Sequence, residues 1–289
     1  MEAVATVLEG VLIGGLYALY AVGLSLGFGI MRLVNIAHGD LIVLAAFMAL
    51  VVTHGLGWHP LASLLLVVPA MAALGYALQR FAFNRTLGSD ILRPLLVTFG
   101  LSVMIQNGLL EGFSGDTQRL QAGGLETASI VLGGGIAVGL LPLLQFAVAV
   151  AVIGGLQLLF YRTALGRAFR AVSDNPTVAR MMGVDDRHLY SVAMAVALAV
   201  TGLAGVFLAI RTNFDPTIGP GRLLFAFESV IIGGLGSLWG TLAGGIILGI
   251  AQGIGARIDP GYQVLAGHLA FLGVLLVRPA GLFPRGRGG

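Results

Sequence analysis

Long apolar runs separated by short polar stretches dominate this chain. Residues 190–210 carry neither a charge nor a proline. At 1.5 Å per residue such a run crosses a hydrocarbon layer about 30 Å thick. Eight further segments follow the same plan, at 4–28, 33–52, 61–78, 95–110, 141–160, 223–238, 240–256 and 263–277. A soluble core helix does not need this length repeatedly. The pattern predicts an all-α polytopic transmembrane bundle with about eight or nine crossings, forming one transmembrane domain over residues 1–289. The stretch 130–140 is shorter and carries Gly133, Gly134 and Gly135, so it reads as a re-entrant or surface piece. Pro69 is expected to kink its helix, whereas Pro142 falls at a segment start, where proline is tolerated. The short runs around 237–239 are consistent with a discontinuous helix pair.

Glycines recur at helical spacing. Gly236, Gly240 and Gly244 form one row, and Gly245, Gly249 and Gly253 another. Small residues four apart let helix backbones approach closely, so packing is the expected role. The strings VLIGGLYAL at 11–19 and VIIGGLGSL at 230–238 hint at an internal repeat.

Composition agrees with the membrane reading and removes several chemistries. Of 289 residues, 57% are hydrophobic and 10% charged, against about 25% charged in soluble domains. Mean hydropathy is +0.96. Cysteine is absent, which excludes disulfides and thiolate chemistry. Lysine is absent too, so the chain has no Walker A lysine and is not itself a P-loop ATPase. Glu2 and Glu9 stand where a signal peptide would be basic, so no cleaved signal is expected. The basic residues are all arginines, and their distribution sets an orientation. With nine crossings and the loop 161–188 cytoplasmic, Arg32, Arg80, Arg85, Arg93, Arg278, Arg285 and Arg287 also fall inside. Arg119, Arg211, Arg222 and Arg257 fall outside, which puts the N-terminus outside and the C-terminus inside.

That loop, YRTALGRAFRAVSDNPTVARMMGVDDRH, is the longest hydrophilic interruption. Asp174 or Asn175 suits a helix cap, Pro176 a first helical position and Gly183 the residue past a helix end. A short helix over 176–182 would present Val178, Ala179, Met181 and Met182 beside Arg180, a small apolar face on a charged hairpin. From physics alone it is either a docking element or an ordinary positive loop.

The residues GRAFRA, then Ala179, MMGV and LAVTGLAGV, resemble the cytoplasmic loop of ABC-importer permeases. GGLYAL at 14–19, GFGI at 27–30 and VNIAHGD at 34–40 resemble the signature of branched-chain amino-acid importers, as do IIGGLGS at 231–237 and RPAGLF at 278–283. That family typically reads N-F-A-H-G-E, so isoleucine and aspartate are departures here. Chain length and this patch resemble the shorter, H-type permease rather than the M-type partner.

The resemblance implies an inner-membrane permease subunit of an ATP-driven importer for branched-chain or other small neutral amino acids. It implies a second homologous permease, two cytoplasmic ATPase subunits holding ATP and magnesium, and an external substrate-binding protein. No cofactor is expected on this chain, and no nucleic acid. It assigns coupling to Arg167, Arg170, Asp174, Asn175, Pro176, Ala179, Arg180 and Gly183. Urea or short amides remain an alternative cargo, since related permeases carry those.

Asn35, His38, Gly39 and Asp40 interrupt apolar sequence between the first two crossings. Polar groups at membrane depth are expensive and normally face a cavity or one another. A gate or pathway role is expected for them, with a satisfied interfacial turn as the structural alternative. Gln106, Asn107, Gln145, Gln157 and Gln252 fit interhelical hydrogen bonding, and Glu228 and His268 are further ionisable residues inside late segments. The string GLSLG at 23–27 matches a nucleophile elbow only as letters, because that motif needs a strand before its helix. Two rivals remain: a self-sufficient secondary transporter, short of buried ionisable residues, and an intramembrane serine protease, which Ser25 alone does not support.

Overall fold

The computed structural model describes residues 2–86, 92–131 and 137–283. Gly133, Gly134, Gly135, Arg285 and Arg287 lie outside them.

Each of the nine apolar segments read from the sequence forms a helix, and the hydrophilic loop 161–188 adds two more, so there are eleven among the described residues. In chain order these are α1 (Glu2–Met31), α2 (His38–Leu56), α3 (Leu64–Phe81), α4 (Leu92–Phe113), α5 (Leu140–Arg162), α6 (Ala164–Asp174), α7 (Pro176–Met181), α8 (Asp186–Arg211), α9 (Gly219–Gly233), α10 (Leu238–Ile258) and α11 (Tyr262–Val277). Among the described residues, seven helices are long and apolar enough to cross a membrane: α1 to α5, α8 and α10, with α3 continued to Arg85. Helices α9 and α11, at 15 and 16 residues, are shorter.

The core is built around α1, which packs against α10, α8, α5 and α9. Glycine explains how closely. A Cβ at Gly14 would lie 2.5 Å from the Ile246 Cα, and one at Gly249 would lie 2.2 Å from the Gly10 carbonyl oxygen. The row Gly245–Gly249 thus meets a matching pair on α1, Gly10 and Gly14, as the spacing predicts. Gly240 and Gly244 play the same part against Gly233 and Ser229 of α9.

Two boundaries differ from the sequence reading. The second apolar segment was expected from residue 33, but α2 starts only at His38. Arg32 takes a left-handed φ of 53°, and Asn35 Oδ1 accepts the Ala37 N–H at 3.0 Å. This Asx turn competes with helix and keeps 32–37 outside it. The segment 223–238 is instead α9, shifted towards its N-terminus, with Pro220 in the first turn. Gly234, at φ 102°, ends it, and Ser237 caps α10 by accepting the Gly240 N–H at 3.1 Å. The expected discontinuous pair is therefore α9 and α10. The tail docks on the end of α9 beside this break, where Leu282 and Phe283 N–H groups donate to the Ile232 and Gly233 carbonyls at 2.9 and 3.0 Å.

The GGL strings of the suggested repeat adopt different structures: the first lies within continuous α1, the second spans the break after α9. Among the described residues of this region, Ser129–Val131 pairs antiparallel with Ala137–Gly139.

Candidate functional site

The polar patch after α1 does not stay at the end of the bundle. The His38 ring lies against Tyr20 and Gly23, two to three turns back along α1 from Met31. Residues 32–37 therefore re-enter the protein, and α2 begins deep inside it. Its Nε2 sits 2.7 Å from the Tyr20 carbonyl and donates to it, since a carbonyl only accepts.

Asp40 completes the arrangement. One carboxylate oxygen accepts from Ser102 Oγ at 2.5 Å and the other from Gln106 Nε2 at 2.9 Å. Both partners sit near the middle of α4. The first residue of α9, Gly219, lies so close that a Cβ there would come within 2.0 Å of Asp40 Oδ1. The carboxylate thus stands in the first turn of α2 and against the N-terminus of α9. Each helix start carries partial positive charge from its unpaired N–H groups. Two helix ends and two side-chain donors together offset the cost of a carboxylate in the membrane interior. Gly39 is required by the same closeness, since a Cβ there would meet the Gly219 carbonyl oxygen at 2.0 Å.

The structure brings all four patch residues together, with Asn35, His38 and Asp40 buried. They join α1, α2, α4 and α9 at a single junction. Ser102 was not singled out in the sequence. Its signal was available, because Ser102 and Gln106 are four apart and so share one face of α4.

At the bundle end that carries the arginine-rich loop, α6 and α7 form a hairpin. Thr163 caps α6 by accepting the Gly166 N–H at 3.1 Å. Ser173 Oγ then donates to the Gly29 carbonyl at 2.7 Å, fixing α6 to the end of α1. Asn175, not Asp174, caps α7, accepting the N–H groups of Thr177 and Val178 at 3.1 Å each. Gly183, at φ 82°, ends α7. Val184 N–H bonds to the Ala179 carbonyl at 3.1 Å and Gly183 N–H to that of Arg180 at 2.9 Å. This is the Schellman pairing that a left-handed glycine allows.

The exposed apolar face is smaller than expected. Met181 and Met182 are 81% and 80% exposed and Val178 about half, but Ala179 is buried at 4%. Ala179 is covered where α7 packs against α6 and α8. Arg170 also turns inward: it donates to the Phe160 carbonyl and lies 5.0 Å over the Tyr161 ring. Arg180 pairs with Asp186 at 3.0 Å, tying α7 to the start of α8. Arg167, Asp174 and Asn175 remain exposed, and Pro176 begins α7.

Other polar residues hold helices together. Gln145 donates to the Phe207 carbonyl at 3.3 Å and accepts from Arg211 at 3.2 Å. Tyr17 donates to Gln252. His268 and Glu228 meet at 2.5 Å between α11 and α9. Asn107 bonds within α4, to the Val103 carbonyl. Arg222, counted above among outer arginines, lies in the first turn of α9, near the Asp40 junction. Ser25 lies within uninterrupted α1, not in a strand–turn–helix elbow.

A family model described as branched-chain amino acid transport system permease component matches residues 6–277. The chain belongs to this permease family. It is 30% identical over 292 residues to the high-affinity branched-chain amino acid transport system permease protein BraD of Pseudomonas aeruginosa, covering 96% of this chain and 94% of that one. The LivH permease of Escherichia coli K12 is 26% identical over 293 residues, with the same coverage. LivM of the same organism is also 26% identical, but only 68% of its length is covered. Full-length coverage of LivH and partial coverage of LivM identify an H-type permease.

Proposed function

We propose that this chain translocates branched-chain and other small neutral amino acids as one permease of an ATP-driven importer. In this reading a homologous permease stands beside it, two ATPase subunits bind its arginine-rich end, and an external binding protein delivers cargo to the other end. ATP and magnesium belong to the ATPases. The chain itself performs no covalent step.

The observation that carries this reading is the α6–α7 hairpin. A short helix capped at both ends presents two exposed methionines, while Ser173 fixes its base to the end of α1. Methionine surfaces adapt to a partner, and a braced helix transmits a push rather than bending. Arg167, Asp174, Asn175, Pro176, Ala179, Arg180 and Gly183 shape or surround this tip, and Arg170 secures its base. Movement there reaches α1 through Ser173 and α8 through Arg180 and Asp186. Both helices pack against α2. The junction of Asn35, His38, Gly39 and Asp40 is then the gate: it is closed here by the meeting of α2 and α9, and it opens when those helix starts separate. Such a change shifts population between two arrangements of one bundle.

A small neutral solute fits the scarcity of fixed charge. An aliphatic amino acid carries both its charges at one end, where helix starts and polar side chains such as Gln106 can meet them. Its apolar remainder suits Val, Leu and Ala surfaces.

The full importer, reconstituted with its own binding protein, tests the cargo by parallel uptake of leucine, urea, glutamate and ribose. Leucine is expected to dominate. Urea as the only cargo would move the assignment to an amide permease, and glutamate or ribose as main cargo would overturn it.

A further inference from the structure

A second feature lies along α1. Along α1 the residues Val4, Leu8, Val11, Gly15, Ala18, Val22, Ser25 and Gly29 follow one another at spacings of four and three and form a single stripe. In the middle, α5 and α10 close over this stripe: Gly15 packs on Phe146 of α5 and Ala18 meets Gly245 of α10. Towards each end the stripe borders an opening. The N-terminal opening, along Val4, Val7, Leu8 and Val11, is wholly apolar and suits any acyl chain.

The opening at the arginine-rich end is different. It is a cavity of about 130 Å³, open to the outside, between α1, α5 and the break before α10. Ser25, Gln157 and Ser237 line it, with Phe160, Tyr161 and Trp239. Ser25 is 1% exposed and its hydroxyl has no hydrogen-bond partner. A buried hydroxyl left unpaired costs about 1–3 kcal/mol, so a polar occupant is expected. Tyr161 and Trp239 stand about half exposed at its rim, as aromatic residues do at a membrane–water interface. Arg170 lies over the Tyr161 ring, and Arg162 follows Tyr161 at the surface.

We propose that this pocket binds an anionic phospholipid. Its glycerol and ester oxygens meet Ser25 and Gln157, its phosphate lies towards Arg162 and Arg170, and its acyl chains leave along the outer face of α5. Basic clusters between transmembrane helices attract anionic headgroups in this way. The charge at the rim selects a lipid over an uncharged helix of another protein.

Trp239 is a built-in reporter, since the only other tryptophan is Trp58. The full chain carrying Trp58→Phe would be placed in nanodiscs, and Trp239 fluorescence quenching compared for brominated phosphatidylglycerol and brominated phosphatidylcholine. Half-maximal quenching by the anionic lipid is expected at an about fivefold lower mole fraction, as a single nearby arginine would give. Ser25→Leu, which fills the pocket, is expected to abolish that preference. Equal quenching by both lipids would reduce the pocket to ordinary annular contact and overturn the proposal. Quenching by neither would also overturn it and assign the pocket to a protein contact. Should Ser25→Leu fail to fold, the two-lipid comparison on the Trp58→Phe chain decides alone.

Discussion

Gly39 and Asp40 show how one residue pair settles where a helix begins. Asp40 takes its two side-chain donors from α4, but it reaches a second helix start only if α2 and α9 meet, and they meet only because Gly39 and Gly219 carry no side chain. Gly39→Ala would drive a methyl into the Gly219 carbonyl, which cannot swing aside as a side chain can. Forcing atoms into a packed site costs about 1–3 kcal/mol. Gly55, in the same helix, has nothing within 4 Å of an added Cβ, and an alanine there gains about 0.5–1 kcal/mol of helix propensity. Thermal unfolding in detergent should therefore show Gly39→Ala less stable and Gly55→Ala unchanged or more stable. The reverse order would remove the close α2–α9 contact. The polar character of this patch was legible in sequence because polar letters stood in apolar surroundings. Its partners were not: Ser102 is 62 residues from Asp40, and only tertiary packing brings them together.

At the scale of elements, local grammar was the most readable. Proline after a cap residue and glycine after two methionines foretold α7, and both ends formed as their chemistry requires. Ala179 was misplaced on the outer face because which side of α7 is covered depends on its packing against α6 and α8, which local grammar does not carry. The late start of α2 was missed for a related reason, since residues 33–37 are apolar enough for a helix and only the Asx turn at Asn35 prevents one. If the hairpin couples ATP hydrolysis to transport, it must keep its turn and its charge. Gly183→Pro removes the N–H that bonds to Arg180 and fixes φ near −65°, far from the observed 82°. Charge reversal by Arg167→Glu alters an exposed residue without touching the fold. Both variants are expected to insert normally and to lose ATP-driven uptake by the full importer, measured at equal expression. Wild-type uptake in both would sink the coupling role.

For the whole molecule, the bundle has two chemically different ends, and the contacts sort residues between them. Glu2 pairs with Arg257 at 2.6 Å, and Gln118 pairs through its backbone with Phe214 beyond the end of α8, so these mark one end. Ser173 on Gly29, Asn84 on the Arg187 carbonyl and the tail on Gly233 mark the other. Arg32, Arg80, Arg85, Arg162, Arg167, Arg170, Arg180, Arg187 and Arg278 gather at this second end, while Arg119, Arg211 and Arg257 lie at the first. Moving Arg222 from the outer surface to the first turn of α9 sharpens that contrast. Arginine-rich ends stay on the cytoplasmic side during insertion, so the hairpin should face the ATPases and the Gln118 end the binding protein. The chain has no cysteine, which leaves a clean background for labelling. Thr177 and Thr117 are both exposed and lie at opposite ends. In intact cells, Thr117→Cys is expected to react with a membrane-impermeant maleimide. Thr177→Cys should react only after the membrane is opened or with a permeant reagent. Reversed labelling would turn the molecule over and place the methionine tip where no ATPase could reach it, so the same experiment tests both orientation and coupling.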